Sequence, residues 1–304
     1  MKRTLSGGAS FASFALIVCS AACGSHPGGS GFDTDDGGGP SADAEQPPVD
    51  SSPGNGDGPT LGGDVSSLEA STGQVAEVFG ESADTLYKLD PNTNAVTVVG
   101  AFQGCSSVID IALDKDSNMF GTTFDGFYSI DRTTAVCTLI ASGTNYPNSL
   151  SFVPAGTLDP NTEALVGYQG DQYLRINTTT GAIQNVGTSI GMGYSSSGDI
   201  VSVKGGGTYL TVTGGDCETD CLLEVNPSTG AFLKNWGPTG HSAVFGLAFW
   251  AGKVYGFDDE GELFQVAFNG AALQITSISI PSAPPMLSFY GAGSTTSAPP
   301  QTNM

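Results

Sequence analysis

The stretch that decides the fold is residues 107–142, SVIDIALDKDSNMFGTTFDGFYSIDRTTAVCTLIAS. It contains four short apolar runs, at residues 108–113, 119–124, 127–130 and 136–141. Clusters of Asp, Asn, Gly and Thr separate these runs, and Asp125-Gly126 is the strongest short-range hairpin signal among them. Short β-branched and aromatic runs between turn clusters are typical of strands joined by hairpins. The stretch therefore predicts a four-stranded antiparallel meander.

The same pattern recurs along the chain, and its third strand with the following turn shows the repeat most clearly. An apolar run such as Leu-Tyr-Lys-Leu ends at a turn residue in each copy: Asp90, Asp131, Asn177, Asn226 and, more loosely, Asn269. Successive markers are separated by 41, 46, 49 and 43 residues, a period typical of propeller blades. Asp and Asn side chains accept backbone N–H groups in tight turns, so we interpret the markers as structural.

The first strand of each repeat also aligns, and its copies begin at Asp110, Ser149, Asp199, Gly246 and Met286. The last copy stands alone near the C-terminus, whereas the first repeat, residues 75–100, lacks this strand. We therefore predict an all-β fold, a five-bladed β-propeller of four-stranded antiparallel blades. In it, residues 286–291 pair with residues 75–79, so that the C-terminal strand completes the N-terminal blade. Closure is favourable because it pairs two otherwise bare strand edges.

The Leu-Tyr-x-Ile-Asp-x-x-Thr-Gly repeats resemble those of bacterial β-propeller proteins of the kind found on secreted lipoproteins. The resemblance covers residues 74–293. It implies the propeller architecture and an extracytoplasmic location. It implies no particular activity, because propellers carry many unrelated functions.

The N-terminus is typical of an export signal. Lys2 and Arg3 precede an apolar segment, residues 11–22, which is too short to span a bilayer comfortably. Residues 20–24, Ser-Ala-Ala-Cys-Gly, resemble a bacterial lipoprotein signal, in which Cys23 becomes the lipidated first residue. Ser20 departs from that pattern, which usually has Leu there, and Ser-Ala-Ala also fits an ordinary cleavage site. The alternative is a secreted protein with a free Cys23.

The composition and the repeats together predict four regions along the chain. We predict a signal peptide at residues 1–22, a disordered tether rich in Gly, Ser, Pro and Asp at residues 23–73, the propeller at residues 74–293, and a flexible tail at residues 294–304. The tether carries many acidic residues and no Lys or Arg, so it cannot bury enough apolar surface to order itself. With a lipidated Cys23, the expected location is the bacterial cell envelope, anchored at the outer membrane or the cell surface.

The formal net charge of −21 excludes one class of partner. An acidic surface repels phosphate backbones, so we expect no nucleic acid to bind. Cations remain possible partners, but solubility in an extracellular medium is the simpler explanation of the charge.

Four cysteines remain after the signal and the lipidation site, an even number in an oxidising compartment: Cys105, Cys137, Cys217 and Cys221. Cys217 and Cys221 lie in a Gly-flanked tract that no helix would hold, so we predict that they close a small disulfide loop. The assignment of strands puts Cys105 on a loop and Cys137 on an outer strand, which leaves their pairing open.

Candidate site residues come from the loops that precede the innermost strands, here called the lead-in loops, because ligands of propellers usually sit at this mouth of the central channel. These loops are residues 103–110, 144–149, 191–199, 238–246 and 281–286. We predict ligand-binding residues at Asp110, Ser149, Asp199 and His241. Asp110 and Asp199 start equivalent strands two blades apart and could share a divalent cation such as calcium through oxygen ligands. Alternatively, they accept neighbouring backbone N–H groups.

No catalytic motif is visible, so we predict no catalytic residue and no required cofactor. The expected function is that of a non-catalytic binding or interaction module, a monomer that recognises an unknown protein, a small molecule or a glycan. The alternative is a metal-dependent hydrolase or lyase with its site at the channel mouth, using Asp110 and Asp199. A glycosidase that uses the same pair of carboxylates ranks last.

Overall fold

The computed structural model describes residues 76–298. The predicted signal peptide, the lipidation site at Cys23 and the tether lie outside the described residues, as do residues 299–304. Within the described range the chain forms twenty β-strands and no helix. Accordingly, this part of the chain offers no helix with the length and apolarity needed to cross a membrane.

The strands group into five sheets of four, one per blade. Blade 1 begins with β1 (Val78–Glu81), β2 (Thr85–Asp90) and β3 (Ala95–Ala101). Blade 2 consists of β4 (Val108–Leu113), β5 (Met119–Thr123), β6 (Gly126–Ile130) and β7 (Cys137–Ser142). Blade 3 consists of β8 (Ser151–Val153), β9 (Ala164–Gln169), β10 (Gln172–Ile176) and β11 (Ile183–Ser189). Blade 4 consists of β12 (Tyr194–Ser202), β13 (Thr208–Gly214), β14 (Cys221–Val225) and β15 (Phe232–Pro238). Blade 5 consists of β16 (Val244–Trp250), β17 (Lys253–Asp258), β18 (Leu263–Asn269) and β19 (Ala272–Ile278), and the last strand, β20 (Gly291–Ser294), returns to blade 1.

Every blade is an antiparallel four-stranded sheet, as the pattern of residues 107–142 predicted. The marker residues form the expected turns between the third and fourth strands. Asp131 and Asn226, for example, each accept the backbone N–H two residues later, at 2.8 Å in both cases. Gly181 and Gly230 adopt φ of 68° and 69° in two of these turns, a conformation that costs glycine little. The side chains of the markers therefore serve the fold.

The ring closes through the chain ends, with a register that corrects the prediction. β20 pairs with β1, matching Gly291 with Glu81 and Ser294 with Val78. The predicted strand at residues 286–291 was therefore placed about four residues too early. Its apolar pattern came from Phe289, which is fully buried in the core between blades 1 and 5. The true innermost strand, Gly-Ala-Gly-Ser, carries small residues because neighbouring blades approach it closely.

The core confirms closure independently of strand pairing. The buried apolar residues fall into five clusters, and each cluster lies in the seam between two neighbouring blades. Val78 of blade 1 packs with Phe257 of blade 5, while Phe79 faces the other way and packs with Ile111 of blade 2. Adjacent residues of one strand point to opposite faces, so each blade supplies two seams. Burial of these side chains is the main stabilising term of the ring.

Both disulfides are present. Cys217, in the loop between β13 and β14, is joined as predicted to Cys221, the first residue of β14. Cys105 and Cys137 are also joined, with Cα atoms 5.6 Å apart, which settles the pairing that the sequence left open. The lead-in loop of blade 2 runs along the start of β7, where the N–H of Cys137 donates to the carbonyl of Gln103 at 2.7 Å. This close approach of a loop to an outer strand is what brings the two cysteines within bonding distance.

The segment after β20 packs against the ring rather than forming the loose tail expected from residue 294. Thr295, Thr296 and Ala298 are all at most 2% exposed. The N–H of Thr295 donates to the carbonyl of Glu77 in blade 1, and the carbonyl of Thr296 accepts the N–H of Lys204 in blade 4, at 3.2 Å in both cases. The hydroxyl of Thr296 donates to the Glu163 carboxylate of blade 3. The segment thus crosses the end of the channel opposite the lead-in loops.

Candidate functional site

A cavity of about 410 Å³ lies at the channel mouth formed by the lead-in loops. All five blades contribute to its lining: Ala83 and Tyr290 of blade 1, Ser107, Val108, Ile109 and Phe124 of blade 2, Asn148 before blade 3, Ser197 and Gly198 of blade 4, and Phe245 of blade 5. Its volume falls within the range usual for small-molecule sites. The opposite end of the channel is covered by residues 295–298, so this mouth is the open side.

Aromatic side chains form much of the cavity wall. Phe124 is 72% exposed and Tyr290 is 41% exposed. The rings of Phe245 and Tyr290 lie with their centroids 6.3 Å apart across the boundary between blades 5 and 1. Large apolar side chains that remain exposed around one concavity are characteristic of a binding surface. No lining residue carries a charged side chain, so the wall is mainly apolar with hydroxyl and amide groups from Ser107, Ser197 and Asn148.

Asp110 and Asp199 lie just beneath this cavity, one residue beyond the lining residues Ile109 and Gly198. Both are fully buried. Each carboxylate accepts the backbone N–H of the residue that follows it. Asp110 accepts that of Ile111 at 2.8 Å, and Asp199 accepts that of Ile200 at 2.6 Å. Each also accepts a backbone N–H from the following blade, so the two predicted site residues are engaged with the backbone of the ring.

The bonds to the following blade join the innermost strands. Asp110 accepts the N–H of Leu150 at 2.6 Å, and Asp199 accepts the N–H of Leu247 at the same distance. The same N–H of Leu150 lies 3.4 Å from Oδ1 of Asp199. Because both carboxylates lie close to this one N–H, the two acids approach one another at the axis. Burial raises the pKa of both carboxyl groups well above the ordinary value, and the negative charge of Asp199 raises that of Asp110 further.

Glu81 is a third buried acid, and the sequence analysis missed it. It ends β1, is 0% exposed, and neither of its carboxylate oxygens has a hydrogen-bond partner. A Cβ atom placed on Gly291 would lie 2.5 Å from Oδ1 of Asp110 and 2.8 Å from Oε1 of Glu81, so the two acids flank this glycine. Burial, followed by the charges of Asp199 and Asp84, raises the pKa of Glu81 well above its ordinary value. Only the true register of β1 against β20 reveals this neighbour.

Ser149 and His241, the other predicted ligand-binding residues, do not line the cavity. Ser149 is fully buried, and its Oγ accepts the N–H of Tyr168 at 2.8 Å within blade 3. His241 lies in the lead-in loop of blade 5, where its ring stacks on Phe264 with centroids 4.0 Å apart. The structure thus brings Asp110 and Asp199 together and leaves Ser149 and His241 apart from them. A ligand-binding role for any of the four stays a prediction.

One group of described residues has the composition of a metal site. His241, Asp258 and Glu262 each offer a ligand atom, and these atoms lie within 4.8 Å of one another; within residues 76–298 this is the single such group of three. Asp110 and Asp199 lie within hydrogen-bond distance of one another, but together with Glu81 they do not form a second group of three with this spacing.

A larger cavity of about 670 Å³ lies along blade 2, beside the turn between β4 and β5 and the turn between β6 and β7. Its lining comes from that single blade, and includes Asp131, whose carboxylate is occupied by the turn, and Arg132, which is paired with Glu77 at 2.7 Å. The charged groups of its lining are therefore already engaged by the fold. The mouth cavity is the better candidate because all five blades converge on it.

Comparison with known proteins identifies similarities of fold. No protein-family model matches the chain, and no curated protein matches it either. Among solved structures, TolB from Acinetobacter baumannii is similar with a TM-score of 0.42 and 14% identity, covering 72% of this chain and 53% of TolB. The gluconolactonase XC5397 from Xanthomonas campestris is similar with a TM-score of 0.43 and 11% identity, covering 67% of this chain and 74% of that one.

A third solved structure, the PQQ-bound aldose sugar dehydrogenase from Streptomyces coelicolor, has a TM-score of 0.39 and 13% identity over 66% of this chain and 78% of that chain. The chain spans about half the length of TolB, the first of these. At identities this low, the likenesses concern the fold alone, and no ligand or activity passes from these proteins to this chain.

Proposed function

We propose that this chain is a membrane-tethered, extracytoplasmic β-propeller lipoprotein that acts as a non-catalytic binding module, with its ligand in the mouth cavity. The observation that carries the proposal is the convergence of all five blades on one apolar cavity of about 410 Å³. A site shared by five blades is positioned by rigid strands on every side, which limits the entropy lost on binding. The ligand is a small molecule, a glycan or an apolar segment of a protein.

The groups around the cavity favour binding over catalysis. The acids beneath it accept backbone N–H groups and are fully buried, so a substrate in the cavity does not touch them. His241, the single histidine of the described residues, stands outside the lining. The lining therefore presents aromatic and hydroxyl groups, which suit recognition of an apolar or amphiphilic surface.

Binding is tested with the purified full-length protein and a polarity-sensitive fluorescent probe, followed by competition with a glycan and peptide panel. Phe245→Ser removes one aromatic ring from the cavity lining and should weaken probe binding at least tenfold. Leu233→Ser is the matched control, because Leu233 is 53% exposed on β15 and lies outside the lining. Equal probe affinity in the two variants would contradict the proposed site. Turnover of lactones, glycosides or phosphoesters by the wild-type protein would contradict the non-catalytic assignment.

The membrane tether rests on the sequence, because Cys23 and the segment after it lie outside the described residues. Growth with radiolabelled palmitate should label the wild-type protein and the Cys19→Ala variant, since Cys19 leaves with the signal peptide. Cys23→Ala should abolish the label and release the protein from the membrane fraction. Labelling of Cys23→Ala would disprove lipidation at this residue. Multiple acyl chains would hold the protein firmly, because a single chain anchors only weakly.

A metal-dependent hydrolase or lyase is the second candidate, and one observation favours it. The carboxylate of Glu81 is buried without a hydrogen-bond partner beside Asp110, and a calcium-type cation with oxygen ligands would neutralise this concentration of acid. Metal analysis and thermal unfolding of the purified protein discriminate the two candidates. A bound divalent cation whose removal by chelator lowers the melting temperature of the wild type more than that of Glu81→Gln supports this candidate. Absence of a bound cation and an unchanged melting temperature would exclude it.

A further inference from the structure

We propose that His241, Asp258 and Glu262 bind a transition-metal ion of the Zn²⁺ class on the mouth-side face of blade 5. The three residues come from two segments of the chain. His241 belongs to the lead-in loop before β16, whereas Asp258 ends β17 and Glu262 precedes β18 in the adjoining turn. Imidazole nitrogen and carboxylate oxygen are ligands that zinc accepts. The site is separate from the mouth cavity, so it does not depend on the function proposed above.

The two distances from the imidazole to the carboxylates fit a bound ion, and all three ligand atoms lie within 4.8 Å of one another. Nδ1 of His241 lies 2.9 Å from Oδ2 of Asp258 and 3.3 Å from Oε2 of Glu262. With metal–ligand bonds of about 2.0–2.1 Å, neighbouring ligands are about 2.9 Å apart in an octahedron and about 3.3–3.4 Å apart in a tetrahedron. An ion could therefore sit between the imidazole and the two carboxylates with only small movements of the side chains.

The ligand atoms are held in place by their surroundings. The imidazole stacks on Phe264 with an interplanar angle of 10°, and the carbonyl of His241 accepts the N–H of Asp220 at 3.0 Å. Oδ1 of Asp258 accepts the N–H of Glu262 at 2.8 Å, which leaves Oδ2 directed at the imidazole. Fixed orientations of this kind reduce the ordering that metal binding requires.

Access and charge also favour a cation. The side chains of His241 and Asp258 are 13% and 4% exposed, whereas that of Glu262 is 59% exposed, so an ion can enter from the Glu262 side. The turn reads Asp258-Asp-Glu-Gly-Glu262, which concentrates negative charge around the opening. In the described part of the chain, neither ligand carboxylate pairs with Lys or Arg. Three protein ligands leave a coordination position for water or an external ligand.

The metal-free explanation is an ion pair between His241 and its two acids, and the following experiment separates the two. The purified full-length protein, stripped with chelator, is titrated with ZnCl₂ by calorimetry, and separately with CoCl₂ while the visible absorption is recorded. We expect one Zn²⁺ site per chain that Glu262→Gln weakens at least tenfold. The matched control is Glu260→Gln, an exposed acid of the same turn that leaves the affinity unchanged.

Cobalt provides the structural readout. A Co²⁺ ion with nitrogen and oxygen ligands gives visible absorption bands whose intensity reports the coordination geometry. We expect these bands in the wild type and in Glu260→Gln, and their loss in His241→Gln. Glu262 is exposed, so its variant keeps the fold and remains informative if His241→Gln does not fold, and circular dichroism checks this. Equal zinc affinity in the Glu262 and Glu260 variants, or the absence of a saturable site, would overturn the proposal.

Discussion

The carboxylate of Asp199 on β12 accepts the backbone N–H of Leu247 on β16 at 2.6 Å, so a side chain of blade 4 ties down the innermost strand of blade 5. Similar bonds cross other seams. Asp110 accepts the N–H of Leu150, Ser151 Oγ accepts that of Ser202 at 3.1 Å, and Ser294 Oγ accepts that of Phe249 at 3.0 Å. The inner strands of neighbouring blades are thus joined by polar side chains where their own backbone groups have no strand partner. These side chains stabilise the ring axis because an unmade buried hydrogen bond is costly.

Replacement of Asp199 by Ala should destabilise the protein. The change leaves the N–H groups of Ile200 and Leu247 without their acceptor, at a cost of about 1–3 kcal/mol for each group that finds no water. Asp199→Asn should cost less, because the amide oxygen can still accept one of them. The free energy of unfolding in urea measures the effect. Asp216→Ala, at an exposed position, is the control and should change it by less than about 0.5 kcal/mol. Equal stability of the two Ala variants would show that water replaces the carboxylate.

Glu81 should make the stability of the protein depend on pH. Its pKa is raised in the folded state, so the native protein binds more protons than the unfolded chain above the ordinary value of about 4.3. Its contribution to stability is therefore fully present below that value and is lost as the pH rises through the folded pKa. Glu81→Gln removes this pH-dependent contribution, because the glutamine amide does not titrate. Relative to the wild type, the free energy of unfolding of the variant should rise by up to about 1.4 kcal/mol for each pH unit within that window. The full value requires that Glu81 titrates independently, and the charges of Glu81 and Asp110 influence one another.

Urea unfolding of both proteins from about pH 4 to pH 8 measures this difference, over the range where carboxyl groups with raised pKa values titrate. Groups with lowered pKa values, such as Asp90 and Asp131, act in the opposite direction, but they are common to both proteins and cancel. Glu218→Gln, at an exposed position, is the control. A difference between wild type and Glu81→Gln that stays constant over the whole range would mean that the pKa of Glu81 is the same in the folded and unfolded states, and would contradict the raised pKa.

Much of the fold follows from the sequence because each blade repeats local signals. The apolar runs of residues 107–142 predicted β4, β5, β6 and β7 to within one or two residues at each end, since hairpin turns fix where strands begin and end. The closing strand escaped this reasoning. Gly-Ala-Gly-Ser has no apolar alternation, and its place is set by how closely the blades pack at the axis. Gly291 illustrates this, because a Cβ there would lie 2.5 Å from Asp110.

The candidate site was less predictable, because it too depends on how the blades pack against one another at the axis. The alignment of repeats placed Asp110 and Asp199 at equivalent positions, and the structure does place both at the axis. Glu81 fell outside the predicted strand, so nothing in the sequence linked it to them. The aromatic cavity wall likewise depends on blade 5 meeting blade 1, which brings Phe245 next to Tyr290. Contacts between distant repeats are set by ring closure, which a single repeat does not encode.

The two disulfides should differ in their contribution to stability. Cys105 and Cys137 are 32 residues apart, whereas Cys217 and Cys221 are four residues apart. In the loop-entropy model, a cross-link constrains the unfolded chain more when the loop is longer, giving about 3.7 kcal/mol for the first and about 2 kcal/mol for the second. The Cys105→Ala/Cys137→Ala variant should therefore lower the free energy of unfolding more than the Cys217→Ala/Cys221→Ala variant does. The reverse order would mean that folded-state contacts of the short loop outweigh chain entropy.

The C-terminal segment should be needed for full stability. A chain that ends at Ala298 keeps the contacts of Thr295 and Thr296 with blades 1, 3 and 4, whereas a chain that ends at Ser294 loses them. Removal takes away the buried side chains of Thr295, Thr296 and Ala298 together with their hydrogen bonds to the ring, and exposes the far end of the channel. Each lost hydrogen bond costs about 0.5–1.5 kcal/mol. Comparison of the two truncated proteins isolates residues 295–298. We expect a lower urea midpoint for the shorter one, and equal midpoints would show that the segment covers the channel without stabilising the ring.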